Sequence, residues 1–492
     1  MIRKLVTNKL SGMIFIALTG ISPVKAQNLS ETFELALQND PVLKQAQANQ
    51  LAINESRPQS IARLLPNVSV NGLGSSDWLN NKKYQPNLNN PTNPNLGTDY
   101  RGPTQSYWSF SYNLKLTQPL FHWDYWVQLS QSDNQIAQAE ADYEAVFQKL
   151  MVRTAEAYFD VLSAKDTVDL ILAEKHSISQ QLEQAKQRFE VGLNAITDVY
   201  EAQAAFDDAI ANEIEAVHNL ENKKEALREI IGDNEVKLNS LGPTLPLIKP
   251  EPANIAAWSE TAETNNFNVI SAFNKAEYSR KSIEVQRAGH LPQLDMVASD
   301  MGSDVNSTSG FRGDTQSVGV QLNVPIFEGG AVNSRTRQAS YQYEAAKENL
   351  IAVKRAVKRQ VTDAYNGVVS NISRVEALKT AVTSGESAVE ASEVGFEIGT
   401  RTMVEVLAEQ KKLYRTKRDF LRSRYDYLIN SIKLKQASSE LTQNDLEQIN
   451  RLLSKHTDGQ ICIESCPDDS KMTAIRQAKP AMPVRAQPEQ AF

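Results

Sequence analysis

Trp108-Ser109-Phe110-Ser111-Tyr112-Asn113-Leu114-Lys115-Leu116-Thr117 alternates large apolar side chains at even positions with small or polar ones at odd positions. Extended from Ser106 to Gln118, this is the pattern of a strand with one apolar and one polar face, about ten residues long. That length crosses an outer membrane with lipid on one side and water on the other. Ser317 to Pro325 repeats it, with Val318, Val320, Leu322 and Val324 against Gly319, Gln321 and Asn323. Weaker partners precede both, Leu65 to Leu73 and Leu291 to Met301, so each pair predicts a β-hairpin. The same alternation also fits a half-buried sheet in a soluble domain.

The connections between the strands, Ser75 to Gln105 (rich in Asn and Pro) and Gly302 to Thr315 (rich in Gly, Ser and Asp), read as solvated surface loops. Trp123 and Trp126 follow the second strand and suit either an interfacial belt or packing against helices.

Outward from the strands the chain changes character. No Gly or Pro occurs from Leu120 to Val191, from Leu193 to Ile231, or from Thr400 to Asp458, and only Gly367 and Gly385 interrupt Ala331 to Val394. The first run alone, as helix, would be about 100 Å long. Ile171, Ile178 and Ala185 share one heptad position, with Leu182 and Phe189 at the complementary one. Such a seam needs partner helices, in a dimeric or trimeric rod or in a curved helical wall.

The chain repeats itself at a constant offset. Arg188-Phe189-Glu190-Val191-Gly192, followed by Asp198-Val199 and Gln203, matches Gly395-Phe396-Glu397-Ile398-Gly399, followed by Glu405-Val406 and Gln410; 396 − 189 = 207 and 410 − 203 = 207. Pro119-Leu120-Phe121 pairs with Pro325-Ile326-Phe327, and Leu65-Pro66 with Leu291-Pro292. Each half runs helix, strand, loop, strand, long helix, Gly-marked turn, returning helix. Four strands cannot close a membrane barrel, which needs about eight or more, and an open sheet would leave bare edges in lipid. Copies must therefore share one wall; two would give eight strands and three twelve.

Of 492 residues, 41% are hydrophobic and 23% charged, which excludes a polytopic helical membrane protein and wholesale disorder. The net charge of −7 and the lack of a Lys/Arg cluster argue against nucleic acid as a partner. Arg3, Lys4 and Lys9 ahead of Met13-Ile14-Phe15-Ile16-Ala17-Leu18, then Val24-Lys25-Ala26, read as a signal peptide over 1–26. Its removal takes four bases and no acid, moving −7 to −11. Cys462 and Cys466 are the only cysteines; an exported location favours a local disulfide over free thiols or a metal site, which would need two more ligands with only His456 nearby.

The sequence resembles the TolC-type outer-membrane efflux family (the outer membrane factors) from Gln27 to about Lys455. The resemblance is carried by Leu116-Thr117-Gln118-Pro119-Leu120, Val191-Gly192-Leu193-Asn194-Ala195-Ile196-Thr197-Asp198-Val199, Gly289-His290-Leu291-Pro292, Gly399-Thr400-Arg401-Thr402 and Tyr425-Asp426-Tyr427-Leu428-Ile429-Asn430. Gly329-Gly330 with Val332-Asn333-Ser334 adds to it.

It implies a mixed α/β membrane protein. In the homotrimer a twelve-stranded outer-membrane β-barrel runs on into a twelve-helix periplasmic α-barrel. Each chain contributes four strands and long coiled-coil helices in two internal repeats. The expected organisation is a first repeat over 27–250, a second over 251–453 and a disordered tail over 454–492, with an equatorial collar from Gly232 to Trp258 and the C-terminal part. The implied function is passive: an exit channel for multidrug efflux and type I protein secretion, docked to a periplasmic adaptor and an inner-membrane RND or ABC transporter. No enzymatic activity and no cofactor are expected; protease, nucleotide and nucleophile-elbow motifs are absent from the sequence.

The resemblance also implies a gate at the Gly-marked turns, with Thr197 and Asp198 of one hairpin bonded to Arg401 of the other. Phe396 stands where the family has a tyrosine that tethers the aspartate, so one hydrogen bond of the latch should be missing. The family's acidic ring is represented by Glu405; Glu409 sits one residue away from the second ring position, a shift of about 100° around a helix. The turns Val191-Gly192-Leu193 and Ile398-Gly399-Thr400 are the expected adaptor contacts. A periplasmic coiled-coil scaffold or trimeric adhesin would explain the helices but leave the two amphipathic hairpins unexplained.

Overall fold

The computed structural model describes residues 28–79, 82–85, 98–101, 105–233, 238–305 and 312–453. The signal peptide, the two cysteines, His456 and the tail lie outside the described residues.

Three short helices, α1 (Leu29–Asn39), α2 (Pro41–Asn54) and α3 (Ser56–Ala62), lead into β1 (Asn67–Leu79). After β2 (Lys82–Gln85), β3 (Thr98–Arg101) and β4 (Gln105–Phe121) come α4 (Trp123–Glu190) and α5 (Ile196–Ile231). The second half runs α6 (Ile255–Asn265), α7 (Phe267–Arg287), β5 (Gln293–Val305), β6 (Arg312–Asn323), α8 (Ala331–Glu397), α9 (Met403–Ala437) and α10 (Gln443–Asn450).

The long strands form one antiparallel sheet in the order β1-β4-β5-β6, so both predicted hairpins are present and β4 joins them through β5. Register places Val70 opposite Leu114, Leu116 opposite Ala298 and Met296 opposite Val320, an apolar face shared by all four strands at the end nearer the helices; further along β5 and β6 the same face carries Asp300, Asp314 and Gln316. Much of that face is open: Val70 is 69% and Val318 79% exposed. The opposite face is polar; there Ser109 Oγ donates to Asp77 Oδ2 at 2.7 Å, and the Ser299 and Ser317 hydroxyls meet at 2.8 Å. Among the described residues, β1 and β6 have no strand partner on their outer edges within the chain. No described helix is long and apolar enough to cross a membrane.

The stretches read as loops are shorter than expected. β1 continues through Leu79, β2 pairs with β3 inside the Asn- and Pro-rich segment, and β5 and β6 extend to Val305 and back to Arg312. Polar residues can sustain a ladder here because the backbone bonds, rather than side-chain alternation, carry the pairing.

Helix α4 spans 68 residues and α8 67, the longest uninterrupted elements. α8 passes through Gly367 and Gly385, which serve close packing on α9. A Cβ at Gly367 would meet Asn430 Cγ at 3.1 Å, and one at Gly385 would meet Leu413 Cδ1 at 3.2 Å. The expected helix from Thr400 to Asp458 is instead broken at Ser438–Thr442. Ser439 adopts φ 58°, Glu440 N–H donates back to the Lys435 carbonyl, and a capping box of Thr442 and Asp445 starts α10. This stop uses no Gly or Pro, which is why their absence failed to mark it. The heptad seam of α4 is buried at Ile171, Ile178, Leu182 and Ala185 but ends before Phe189, which is 41% exposed.

The main core gathers Tyr158, Phe159, Leu162, Val361, Leu428 and Ile432 at mid-height of the helices. The mid-chain linker is strapped on here: Tyr158 Oη donates to the Asn239 carbonyl at 2.9 Å, Gly242 N–H to the Leu452 carbonyl at 3.1 Å, and Arg424 to the Gly242 carbonyl. Tyr425 Oη donates to Asp166 Oδ2 at 2.6 Å, and burial pushes the Asp166 carboxyl up.

Charge is divided between the two hairpins. α4 and α5 together carry 21 acids and nine bases, net −12; α8 and α9 carry 12 acids and 18 bases, net +6. The ion pairs between them follow this division, with α9 supplying the base: Lys433–Glu156 at 2.7 Å, Arg422–Asp160 at 2.7 Å and Lys411–Asp208 at 2.9 Å. Burial pushes the Asp160 carboxyl up, but Lys223 and Arg422 outweigh it and hold it below the usual range.

Candidate channel gate

The two helical hairpins end in turns with the same backbone. Gly192 has φ 75° and Gly399 φ 80°; Leu193 N–H donates to the Arg188 carbonyl, and Thr400 N–H to the Gly395 carbonyl, each at 2.8 Å. The corresponding residues are 207 apart. A left-handed residue at this point lets the orphan carbonyls of the long helix be satisfied and the chain reverse within a few residues. Val191, Leu193 and Ile398 stand on the tips, each 70 or 71% exposed.

Just behind the tips, a small core of Leu182, Ala185, Ala202, Phe396, Met403 and Val406 holds one hairpin to the other. Polar contacts surround it. Glu393 Oε1 accepts from Gln181 Nε2 of α4 at 3.3 Å and from Gln410 Nε2 of α9 at 2.8 Å. The Arg188 guanidinium lies 5.0 Å from the centre of the Phe396 ring, and its Nη2 donates to the Glu397 carbonyl at 3.4 Å.

Thr197 and Asp198 occupy the first turn of α5, while Arg401 lies between α8 and α9. Among the described residues of one chain, Arg401 forms no bond with either. Its Nη1 donates instead to Ser392 Oγ at 3.0 Å, within its own hairpin. The cause is local. Gly395 has no side chain, and a Cβ there would sit 3.0 Å from Arg401 Cγ, so the arginine stem lies flat on the last turn of α8 and its head reaches Ser392. Phe396 is 8% exposed and packed rather than tethered.

Glu405 forms a capping box with Thr402, its Oε2 accepting from Thr402 N–H at 2.7 Å and from Thr402 Oγ1 at 3.1 Å. These bonds at a helix N-terminus hold its carboxyl below the usual range and keep it ionised. Glu409 pairs with Lys412 of its own helix at 3.3 Å. Sequence reading missed Arg188, Gln181, Ser392 and Glu393. The available signal was a polar residue on an apolar seam: Gln181 adjoins Leu182 and is 9% exposed, and Gln410, the repeat partner of Gln203, is 2% exposed. No cluster of metal-ligating side chains occurs among the described residues.

The outer membrane efflux protein family matches residues 32–233 and 258–440. The outer membrane protein TolC of Vibrio cholerae serotype O1 is 34% identical over 434 residues, covering 87% of this chain and 94% of that protein. The alkaline protease secretion protein AprF of Pseudomonas aeruginosa is 29% identical over 428 residues, covering 86% and 87%. Among solved structures, the CmeC outer membrane channel of Campylobacter jejuni has the same fold, with TM-score 0.71 at 18% identity over 87% of this chain and 90% of that one.

Proposed function

The chain belongs to the outer membrane efflux protein family, and from that premise we infer that it works in the outer membrane as the exit channel of efflux and type I secretion systems. The observation that carries this reading is a four-stranded sheet with an open apolar face and two edges unpaired among the described residues, mounted on α4 and α8, each about 100 Å long. Lipid can cover the face; only further copies can cover the edges.

Three copies joined β6 to β1 give a twelve-stranded barrel, with the polar face lining a water-filled lumen and the hairpins continuing it as a periplasmic tunnel. The channel does no bond chemistry. It conducts passively, and a periplasmic adaptor and an inner-membrane RND or ABC transporter supply direction and energy. The exposed tips at Val191, Gly192, Leu193, Ile398, Gly399 and Thr400 are the surface offered to the adaptor.

The closed state is the inward coiling of the hairpins at these turns. In the assembled ring the second hairpin of one copy faces the first hairpin of the next, and Arg401 can leave Ser392 for Thr197 and Asp198 there. Glu405, three times around the axis, attracts cations to the constriction; Glu409, engaged with Lys412, adds less.

The test is the purified mature protein in planar lipid bilayers, with subunit stoichiometry measured in detergent by native mass spectrometry. Three copies and discrete cation-preferring currents are expected. A stable monomer that never enters the bilayer would sink the reading.

A further inference from the structure

Two arginines from different hairpins meet the C-terminal end of α8. Arg401 approaches from its own hairpin and ends on Ser392. Arg188 approaches from the other hairpin, with its guanidinium 5.0 Å from the Phe396 ring centre and its Nη2 3.4 Å from the Glu397 carbonyl. Glu397 is the final residue of α8, so its carbonyl is one of the acceptors a helix leaves unpaired and lies at the negative end of the helix dipole. Arg188 Nε is buried with no partner, so solvent is excluded from the inner side of the guanidinium.

We propose that Arg188 is a positioning residue of the gate: it clamps the α4–α5 hairpin to the end of α8 through the Phe396 ring and the Glu397 carbonyl, and releasing it frees the two hairpins to separate. The inference rests on the reading of these turns as the gate.

The clamp runs one way. The residue 207 positions on from Arg188 is Gly395, which has no side chain to offer in return, and the repeat partner of Phe396 is the exposed Phe189. One cation and one ring therefore join the hairpins at this level. A phenylalanine serves as well as a tyrosine here, because the contact uses the face of the ring and needs no hydroxyl. The Arg188 contact thus compensates for the hydroxyl that Phe396 lacks.

Single-channel recording in planar bilayers tests this with Arg188→Gln, Arg188→Lys, Phe396→Leu and the Arg188→Gln/Phe396→Leu double variant, with Arg401→Ser in the same series. Loss of one half-exposed cation–π contact should raise the open-to-closed ratio about two- to fivefold. Arg188→Gln and Phe396→Leu should each do so, the double variant should exceed neither by much, and Arg188→Lys should restore most of the closed population. Wild-type gating in Arg188→Gln while Arg401→Ser opens the channel would overturn the clamp and leave the gate in place. Wild-type gating in both would remove the gate from these turns. Opening in which Arg188→Gln and Phe396→Leu multiply would show that they act separately and would also refute the pairing. Circular dichroism and native mass spectrometry of each variant separate opening from misfolding; if Phe396→Leu misfolds, the Gln and Lys variants at 188 decide.

Discussion

Arg401 donates to Ser392 at 3.0 Å across the side-chain-free Gly395, so the arginine that the family resemblance cast as a bridge between hairpins braces its own turn. Arg401→Ser removes the brace and any bond to Asp198 together. We expect closed-state stability to fall by about 1 kcal/mol per chain, roughly fivefold in the open-to-closed ratio. Ser392→Ala removes the brace alone. Single-channel conductance of the two variants separates the contributions: if Ser392→Ala opens the channel as much as Arg401→Ser, no bond to Asp198 is needed.

Glu405 has two roles that one pair of variants can divide. Glu405→Gln keeps an acceptor for the capping box with Thr402 but loses the charge, whereas Glu405→Ala loses both. Reversal potentials in a salt gradient should show reduced cation preference in both. Hydrogen exchange at the first turn of α9 should rise in Glu405→Ala only. An unchanged reversal potential in Glu405→Gln would remove this residue from the filter.

Burial raises the Asp166 carboxyl in the folded protein, although the Tyr425 hydroxyl donates to it. A raised folded-state pKa contributes stability that is complete below the unfolded pKa, about 3.9, and is lost as pH rises through the folded value. Asp166→Asn mimics the protonated acid. Its unfolding midpoint should exceed that of the wild type at pH 7.5, with the difference vanishing toward pH 3.5. Equal shifts at both pH values would exclude titration of Asp166 as the cause.

Gly192 and Gly399 have positive φ, and an added Cβ at either would meet nothing within 4 Å. Alanine there is opposed by backbone strain alone, at about 1–2 kcal/mol. Each substitution should lower stability by that amount and tilt the exposed tip. Crosslinking yield between a cysteine at Leu193 and the adaptor should drop in parallel with the stability loss. Full crosslinking in both alanine variants would show that the contact does not depend on the geometry of the turn, and no crosslinking at Leu193 with both glycines intact would place the adaptor elsewhere.

The strands, the long helices and the two turns were legible because each depends on local pattern: alternation over Trp108 to Thr117, the Gly- and Pro-free run to Val191, and glycine where the chain reverses. The stop at Ser439 was hidden because Ser can adopt a glycine conformation when the next helix is capped by Thr442 and Asp445. The strand extensions past Ser75 and Gly302 were hidden because hydrogen bonds to a neighbouring strand leave no trace in composition. The candidate gate was half legible. Resemblance pointed to Arg401 and Asp198, but the bond from Arg401 to Ser392 requires knowing that Gly395 leaves room for the arginine stem. Likewise, Glu393 gains meaning only once Gln181 and Gln410, 229 residues apart in sequence, are seen on its two sides.

In the ring proposed above, the unequal charge of the two hairpins bears on the order in which they stand. Two hairpins of net −12 set side by side repel along their length, as do two of net +6, whereas alternation places every acidic column between basic ones. The divergence of charge between the halves turns a repeat into a directional building block, and adding salt should weaken that sorting before it loosens the apolar seams.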